Sequence, residues 1–163
     1  LGFDYIFITN HCSTDNTSKI LESYKDDPRV IVIEEKNPVF DHAKIQSKLL
    51  NYANVNYKID WFIFLDADEF LSIRDESIHD FVARLENKDI PYATIGRANA
   101  LFDRTFSDYT CSPVNPIDTT KYYYPWPEKA WEEYGHFRKA IVKNHKNMKI
   151  VVSGHYVETG NNL

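Results

Sequence analysis

Two aspartates follow directly after a short apolar segment and have the spacing of a metal-binding pair. Residues 61–65 (Trp-Phe-Ile-Phe-Leu) have the composition of a buried strand, and Asp66 and Asp68 come next. Open α/β folds bind their ligands at the carboxyl ends of parallel strands. Carboxylates at such a position can converge on Mg²⁺ or Mn²⁺, and either cation also binds diphosphate oxygens. A solvated acidic turn is the alternative interpretation, because acidic residues are common in turns.

A second polar segment follows another apolar run near the start of the sequence. Residues 5–9 are predicted to form a strand, and the polar residues 10–17 lead directly into a predicted helix. Side chains of this segment would cap the free N–H groups of that helix. A nucleotide needs the same kinds of group, namely carboxamides or carboxylates for base and ribose and helix amides for phosphate. The two roles are compatible.

The second predicted helix also carries polar side chains toward this edge of the sheet. It follows a predicted strand at residues 30–33, and its apolar stripe includes Ile45 and Leu49. His42 and Gln46 continue the stripe toward the start of the helix. Both are candidates for ligand contact, although a hydrogen-bonded histidine at a helix end is the commoner arrangement.

The elements that would position these residues alternate along the first part of the chain. Strand, helix, strand, helix and strand follow one another up to residue 65, which predicts a doubly wound α/β fold with a mostly parallel sheet and flanking helices. A third helix is predicted over residues 78–85, where Ser77 and Asp80 have the spacing of a capping box.

The second half of the sequence is less regular. A strand is predicted at residues 92–97, and residues 140–143 and 149–153 suggest a late hairpin. Between residues 98 and 135 the periodicity fails, and the segment contains four of the seven prolines together with clustered tyrosines and tryptophans. We therefore expect a long aromatic loop there, which would suit a lid or an acceptor-binding loop.

Composition and charge narrow the class of protein. The 163 residues suit one domain, and the net charge of −5 argues against a general nucleic-acid binder. The sequence has no run of about 20 apolar residues that could span a membrane. Cys12 and Cys111 lack metal-type spacing and cannot form a disulfide framework, which favours a reducing compartment. We expect a cytoplasmic protein, or one at the cytoplasmic face of a membrane.

Three segments together resemble a known family. Residues 10–17, the helix that contains Gln46 and residues 61–71 are similar to glycosyltransferase family 2 and its relatives with a GT-A fold. The likeness is closest to the branch that pairs a "DNxSxDGT"-like motif with "DxDEF", and it is strongest over residues 1–71. It implies a single GT-A-like domain over residues 1–163. The first strand and helix of the family have no counterpart here, so we expect the natural polypeptide to extend upstream of Leu1.

The resemblance implies an activity and a set of nucleotide contacts. Such an enzyme is a metal-dependent glycosyltransferase that transfers a sugar from a nucleotide-sugar donor to a hydroxyl group of a glycan or other acceptor, with inversion, as in polysaccharide biosynthesis. Asn10 stands where many relatives have Asp, and Asn16 replaces the usual Gly, so base recognition is expected to differ. The implied nucleotide-binding residues are Asn10, Ser13, Asp15, Gln46 and Asp66.

The resemblance also implies metal ligands and a catalytic base. Asp66 and Asp68 would hold Mn²⁺ or Mg²⁺. His155 would be a further ligand, because some GT-A enzymes place a histidine in a similar late segment. The acidic pair that supplies the catalytic base in the family has its nearest match in Glu132 and Glu133.

Two other functions fit part of the pattern. A non-catalytic carbohydrate-binding remnant of the same fold would keep the sugar contacts without transfer. A haloacid-dehalogenase-type phosphatase also uses a strand that ends in Asp-x-Asp, but it requires Thr or Val two residues after the second Asp, where this sequence has Phe70.

Overall fold

A computed structural model describes residues 2–69, 71, 76–95, 98–101, 122–125, 139–145, 148–151 and 156–159. Within these residues the elements are β1 Ile6–His11, α1 Thr17–Glu22, β2 Val30–Glu35, α2 His42–Asn56, β3 Trp61–Ile63, α3 Ile78–Asn87, β4 Tyr92–Ile95, β5 Ala98–Leu101, β6 Tyr122–Pro125, β7 Lys139–Lys143, β8 Met148–Val151 and β9 Tyr156–Thr159.

The first part of the chain forms a parallel strand pair, which we call the β1–β2 unit and which comprises β1, α1 and β2. The register sets Ile6 opposite Val30 and Asn10 opposite Glu34. Parallel neighbours need a crossover connection, and α1 lies within it. This helix has only six residues, none of them buried. The unit is therefore held mainly by its strand pairing.

Helix α2 packs against β1 and against β8. It begins after Asp41, whose side chain accepts a hydrogen bond from the N–H of Lys44 at 3.0 Å, as an N-cap residue does. Over its 15 residues one face is apolar, and the buried positions are Ile45, Gln46, Leu50 and Ala53. Gln46 is the one polar residue among them, and this sets it apart from an ordinary core position.

The second sheet, which we call the β7 sheet, has β7 between β3 and β4 and antiparallel to both. Ile141, at the centre of β7, is 2% exposed and lies opposite Ile63 and Ala93. Because side chains alternate along a strand, Lys139 and Ile141 share a face. The core cluster on this sheet consists of Leu71, Ile78, Leu85 and Ile141.

Helix α3 covers the core of the β7 sheet, as its apolar spacing predicts. Ser77 accepts a hydrogen bond from the N–H of Asp80, and the carboxylate of Asp80 accepts one from the N–H of Ser77. The predicted capping box is thus confirmed. At the other end of the sheet, Glu86 accepts a hydrogen bond from the indole of Trp61 at 3.1 Å and pairs with Lys143 at 3.4 Å. These contacts lower the pKa of Glu86, the bond from Trp61 most of all.

One sequence-based expectation about the sheets is not confirmed, and another is wrong. Among the described strands only β1 and β2 pair in parallel, whereas β3 pairs antiparallel with β7, so a doubly wound, mostly parallel sheet is not confirmed. The late hairpin is wrong: β7 pairs with β3 and β4, and β8 pairs with β9. An apolar run indicates that a strand is buried. It does not indicate the partner strand, because the pattern is local and the partner can lie anywhere in the sequence.

Part of the expected aromatic loop has regular structure. Strands β5 and β6 lie inside residues 98–135 and pair antiparallel, with Ala98 opposite Pro125. The other residues of that segment lie outside the described ones. In the part of the chain that the structure describes, no helix has the length and apolar character needed to cross a membrane.

Candidate functional site

The turn that follows β3 is closed by hydrogen bonds at both ends. The N–H of Glu69 donates to the carbonyl oxygen of Asp66 at 3.0 Å, and the carboxylate of Glu69 accepts from the N–H of Asp66 at 3.0 Å. The turn therefore keeps a fixed backbone with its third residue, Asp68, at the outside. Asp68 is exposed and makes no hydrogen bond or ion pair within the described residues.

A buried lysine from a distant strand supports the same turn. Lys139 is 3% exposed, and its Nζ lies 3.1 Å from Asp66 Oδ2 and 3.0 Å from Glu69 Oε2. Extending the β3–β7 register by two pairs places Lys139 opposite position 65, immediately before the turn. Strand pairing thus brings the ammonium of Lys139 to two carboxylates that lie about 70 residues earlier in the sequence.

Helix α2 reaches the other side of Asp66 through its first residue. His42 Nε2 lies 3.5 Å from Asp66 Oδ1 and 3.0 Å from Gln46 Nε2. Gln46 is 5% exposed, and its Oε1 has no hydrogen-bond partner. Turning the amide over would let Oε1 accept from His42 but would leave the NH₂ group in that position instead. In either orientation, one buried polar atom of Gln46 has no partner among the described residues.

The end of β1 presents a second buried amide. Asn10 is 4% exposed, and its Nδ2 donates to Ser18 Oγ at 3.1 Å and to the Glu34 carboxylate at 3.0 Å. Its Oδ1 is buried and has no hydrogen-bond partner among the residues that the structure describes. Buried amide oxygens are nearly always hydrogen-bonded in proteins, so this one is a candidate acceptor for a ligand donor.

The loop after β1 is exposed and ordered by local contacts. Asp15 accepts a hydrogen bond from the N–H of Thr17, the first residue of α1, at 2.9 Å, whereas the side chain of the N-cap residue, Asn16, makes no capping hydrogen bond. Hydrogen bonds from Thr17, first from its side chain and then from its backbone, lower the pKa of Asp15. Ser13 is exposed, and Cys12 has a φ of 50°, a left-handed conformation that is uncommon for a residue other than glycine. Loops with such backbone strain are often found at ligand sites.

Aromatic rings connect this loop to helix α2. The rings of His11 and Phe40 lie edge to face at 5.4 Å between centroids, and those of Phe40 and His42 lie 5.6 Å apart. His11 Nε2 donates to the carbonyl oxygen of Asn37 at 2.8 Å. Phe40 is 67% exposed, which is unusual for a phenylalanine that contacts two other rings. This row of rings leads from the end of β1 to Asp66.

The donor set of the turn suits a hard divalent cation that takes most of its ligands from a substrate. The described residues contain no group of three or more His, Cys, Asp or Glu side chains that could hold a metal ion by itself. The turn nevertheless offers the exposed carboxylate of Asp68 and the partly exposed carboxylate of Asp66. Mg²⁺ is typically bound by one or two carboxylates together with substrate phosphates, so these residues fit such a cation.

The structure brings together some of the sequence-predicted residues and leaves others apart. Asp66 and Gln46 are linked through His42, and Asp68 lies on the same turn as Asp66. Asp15 and Ser13 lie in the loop after Asn10, where Asp15 accepts a hydrogen bond from the N–H of Thr17. Three predicted residues lie outside the described ones and stay predictions: Glu132, Glu133 and His155.

Sequence reasoning missed three contributors to the site. The first is Glu34. Aligning the apolar runs of β1 and β2 places position 34 beside Asn10, so its role could have been inferred. Glu69 belongs to the acidic turn but had no role assigned to it. Lys139 is a charged residue at the start of an apolar strand, on the face that Ile141 buries. That inward position was a usable signal, although its partner could not be found without the strand pairing.

The described elements form an α/β domain with a candidate ligand site at the end of a strand, and comparison with known proteins identifies its family. The family model described as "Glycosyl transferase family 2" matches residues 3–153, so the chain belongs to that family. The family implies a GT-A α/β fold, glycosyltransferase activity, a nucleotide-sugar donor and an acceptor. Neither the search of curated proteins nor that of solved structures returned a match. The family match does not favour a phosphatase or a non-catalytic remnant.

Proposed function

We propose that this chain is the donor-binding domain of a metal-dependent, inverting glycosyltransferase of the branch with a DxDEF motif. It would transfer a sugar from a nucleotide sugar to a hydroxyl group of a glycan or other acceptor, as in polysaccharide biosynthesis. The observation that carries the proposal is the closed turn after β3, in which Asp66 is held in place while Asp68 stays exposed. Because Asp68 makes no hydrogen bond or ion pair within the described residues, its carboxylate is available to a cation.

The nucleotide would lie between β1 and α2. Asn10 and Gln46 each have a buried polar atom without a partner among the described residues, as expected of groups that hydrogen-bond a base or ribose. Ser13 and Asp15 lie in the loop between Asn10 and α1 and would complete these contacts. Asp66, whose side chain is 35% exposed, would accept from ribose hydroxyls.

Asp66, Asp68 and His155 would hold Mn²⁺ or Mg²⁺. Such a cation, when bound, neutralises the negative charge that develops on the diphosphate leaving group. The turn carries three carboxylates against one ammonium, a formal surplus of two negative charges, which matches a divalent ion. Carboxylate oxygens favour Mg²⁺ or Mn²⁺ over metals that prefer thiolate ligands.

The chemical step needs a base for the acceptor, and Glu133 or Glu132 would supply it. The carboxylate would take the proton of the acceptor hydroxyl group as its oxygen attacks the anomeric carbon. The bond from that carbon to the diphosphate oxygen breaks, and the nucleoside diphosphate leaves with the electron pair. Attack from the face opposite the leaving group inverts the configuration. This assignment depends on the family resemblance alone.

Asp68→Asn tests the metal assignment, with Asp60→Asn as a matched control. Asp60 is an exposed aspartate just before β3, at the end of the strand opposite to the turn. Calorimetric titration with UDP, GDP and CDP, with and without Mn²⁺, should show metal-dependent binding in the wild type and in Asp60→Asn. Binding by Asp68→Asn should be at least about tenfold weaker, the equivalent of about 1.4 kcal/mol. Thermal melts without ligand should agree among all three proteins.

Two results would contradict this assignment. Undiminished, metal-dependent nucleotide binding by Asp68→Asn would place the metal elsewhere, and failure of that variant to fold would make the turn structural. A separate assay follows release of nucleoside diphosphate from the matching nucleotide sugar with and without acceptor glycans. Binding without any release or transfer would indicate a carbohydrate-binding domain that has lost its activity.

A further inference from the structure

The ammonium of Lys139 is buried, which is unusual for a lysine. It is the one charged side chain among the buried residues that the structure describes. Taking an ammonium out of water is unfavourable, and nearby carboxylates offset this only when the geometry is good. Here the geometry is good, with oxygens of two carboxylates at 3.0 and 3.1 Å.

Stability alone does not require a charge at this position. Lys139 shares its face of β7 with Ile141, which is 2% exposed and part of the core cluster. An apolar side chain could extend that cluster by one position, and buried ion pairs are often replaced by apolar residues without loss of stability. The charge is better explained by what it does to the two carboxylates, which belong to the turn that carries Asp68.

We propose that Lys139 is a positioning residue for donor binding, an inference that rests on the proposed function. Its ammonium binds Asp66 through Oδ2, which leaves Oδ1 toward His42. The same ammonium binds Glu69, whose carboxylate closes the turn on the N–H of Asp66. Lys139 thereby fixes both the side chain of Asp66 and the backbone that presents Asp68. Because it is buried, it acts through these residues and not by touching the donor.

Removing the ammonium should destabilise the closed turn, because the cation between its two carboxylates is lost. The oxygens of Asp66 and Glu69 that now share one cation would repel each other across a short distance. The two carboxylates would separate, either by a rotation of the Asp66 side chain or by opening of the turn. Supporting residues of this kind typically change the affinity of a metal site about 10–100-fold.

The primary test compares Lys139→Met with Lys143→Met. Lys143 lies on the same strand and the same face, but its side chain is 46% exposed and pairs with Glu86, at the far end of the sheet. In calorimetric titrations with the nucleoside diphosphate that the wild type binds in the presence of Mn²⁺, Lys139→Met should bind about 10–100-fold more weakly. Lys143→Met should stay within about twofold of the wild type, as surface ion pairs contribute little.

A double-mutant cycle with Asp66→Asn separates positioning from general stability. If Lys139 acts through Asp66, most of the loss caused by Lys139→Met should disappear when Asp66 has already been replaced, because effects of coupled residues do not add. A merely structural role would give the same fold-loss in both backgrounds, and that result would overturn the proposal. Lys139→Arg, which keeps the charge, should restore part of the affinity that Lys139→Met loses.

The other outcomes are equally decisive. If Lys139→Met does not fold, Lys139→Gln, which keeps two hydrogen-bond donors without the charge, takes its place in the cycle. Failure of both variants to fold would make the residue structural and overturn the proposal. If the wild type binds the nucleotide and the folded variant binds it with the same affinity, the role of Lys139 is overturned but the proposed function stays intact. A wild-type protein that binds no nucleotide, with or without Mn²⁺, would overturn both.

Discussion

The β1–β2 unit and the β7 sheet each contribute to the candidate site, but they hold their polar groups in different ways. In the β1–β2 unit, a neutral amide, Asn10, bonds a carboxylate on the neighbouring strand, and Asp15 accepts a hydrogen bond from the N–H of Thr17 two residues away. In the β7 sheet, the ammonium of Lys139 joins two carboxylates from a distant part of the chain. One region uses a buried neutral amide and an exposed local contact, and the other uses a buried charge.

The β7 sheet is also more tightly packed than the β1–β2 unit. Helix α1 has no buried residue, whereas the β7 sheet carries a core cluster that includes Leu85 and Ile141. A group that must keep its position against a charged ligand benefits from rigid surroundings, because a misplaced ligand group loses affinity. We infer that the β7 sheet fixes the turn proposed to bind the metal, while the more loosely packed β1–β2 unit is free to adapt to the proposed nucleotide ligand.

The largest expected effect tests this difference in packing. Ile141→Ala should lower the free energy of unfolding by about 2–5 kcal/mol, because it leaves a cavity at the centre of β7. Ile20→Ala makes the same change in α1 at a residue that is 58% exposed, and it should change stability by less than about 0.5 kcal/mol. Urea unfolding of both variants measures the difference, and equal losses would contradict the contrast between the two regions.

The next effect concerns the neutral amide of the β1–β2 unit. Asn10→Asp would set a second carboxylate beside Glu34, which now accepts from Asn10 Nδ2 at 3.0 Å. We expect a loss of about 1–3 kcal/mol at pH 7, since a hydrogen bond is replaced by repulsion at a buried position. The new pair should have a raised pKa, so the loss should shrink as the pH falls and one carboxyl group binds a proton.

Glu34→Gln provides the control for that prediction. In the double variant Asn10→Asp with Glu34→Gln, the amide and the carboxylate exchange places and the hydrogen bond can re-form with its direction reversed. Most of the stability lost in Asn10→Asp should return. An Asn10→Asp protein as stable at pH 7 as the wild type would show that Glu34 does not constrain this position, and the departure from the Asp of many relatives would need another reason.

Local signals in the sequence predicted much of the fold. The capping box of Ser77 and Asp80 and the apolar spacing of α3 are local features, and the structure confirms both. Strands β1, β2 and β3 also occur where their apolar runs predict them. The pairing of β7 was missed because it joins residues that are far apart along the chain, and no periodic pattern encodes such a choice.

The same limit applies to the site. The sequence identified candidate site residues from their positions at the ends of predicted elements, namely Asp66, Asp68 and Gln46. Their partners were not identified, because Lys139 reaches Asp66 only through the β3–β7 pairing. Whether a polar side chain is free for a ligand or engaged by the protein depends on such distant contacts. Asp66 and Asp68 therefore differ in availability although the sequence presents them as an equivalent pair.

A smaller effect tests a local contact of the β7 sheet. Ser77→Ala should lower the free energy of unfolding by about 1 kcal/mol, because the N–H of Asp80 loses its acceptor at the start of α3. Ser47→Ala is the matched control, since Ser47 lies inside α2 and donates only to the carbonyl oxygen of Ala43 one turn earlier. Alanine is at least as favourable there. Chemical denaturation that shows equal losses would contradict the role of the cap.

The smallest effect is an acid dependence that belongs to the β1–β2 unit. Asp27 accepts three hydrogen bonds from Arg29 in the turn before β2, and these lower the pKa of its carboxyl group to about 2. A carboxyl group with a lowered folded-state pKa adds stability above its unfolded value of 3.8 and loses it as the pH falls toward 2. Asp27→Asn should therefore melt slightly below the wild type at pH 7, and the two melting temperatures should converge near pH 2. Asp26→Asn, the same change one residue earlier, is the matched control and should melt with the wild type at pH 7. A gap between Asp27→Asn and wild type that stays constant from pH 7 to pH 2 would mean that the Asp27–Arg29 pair does not stabilise this turn.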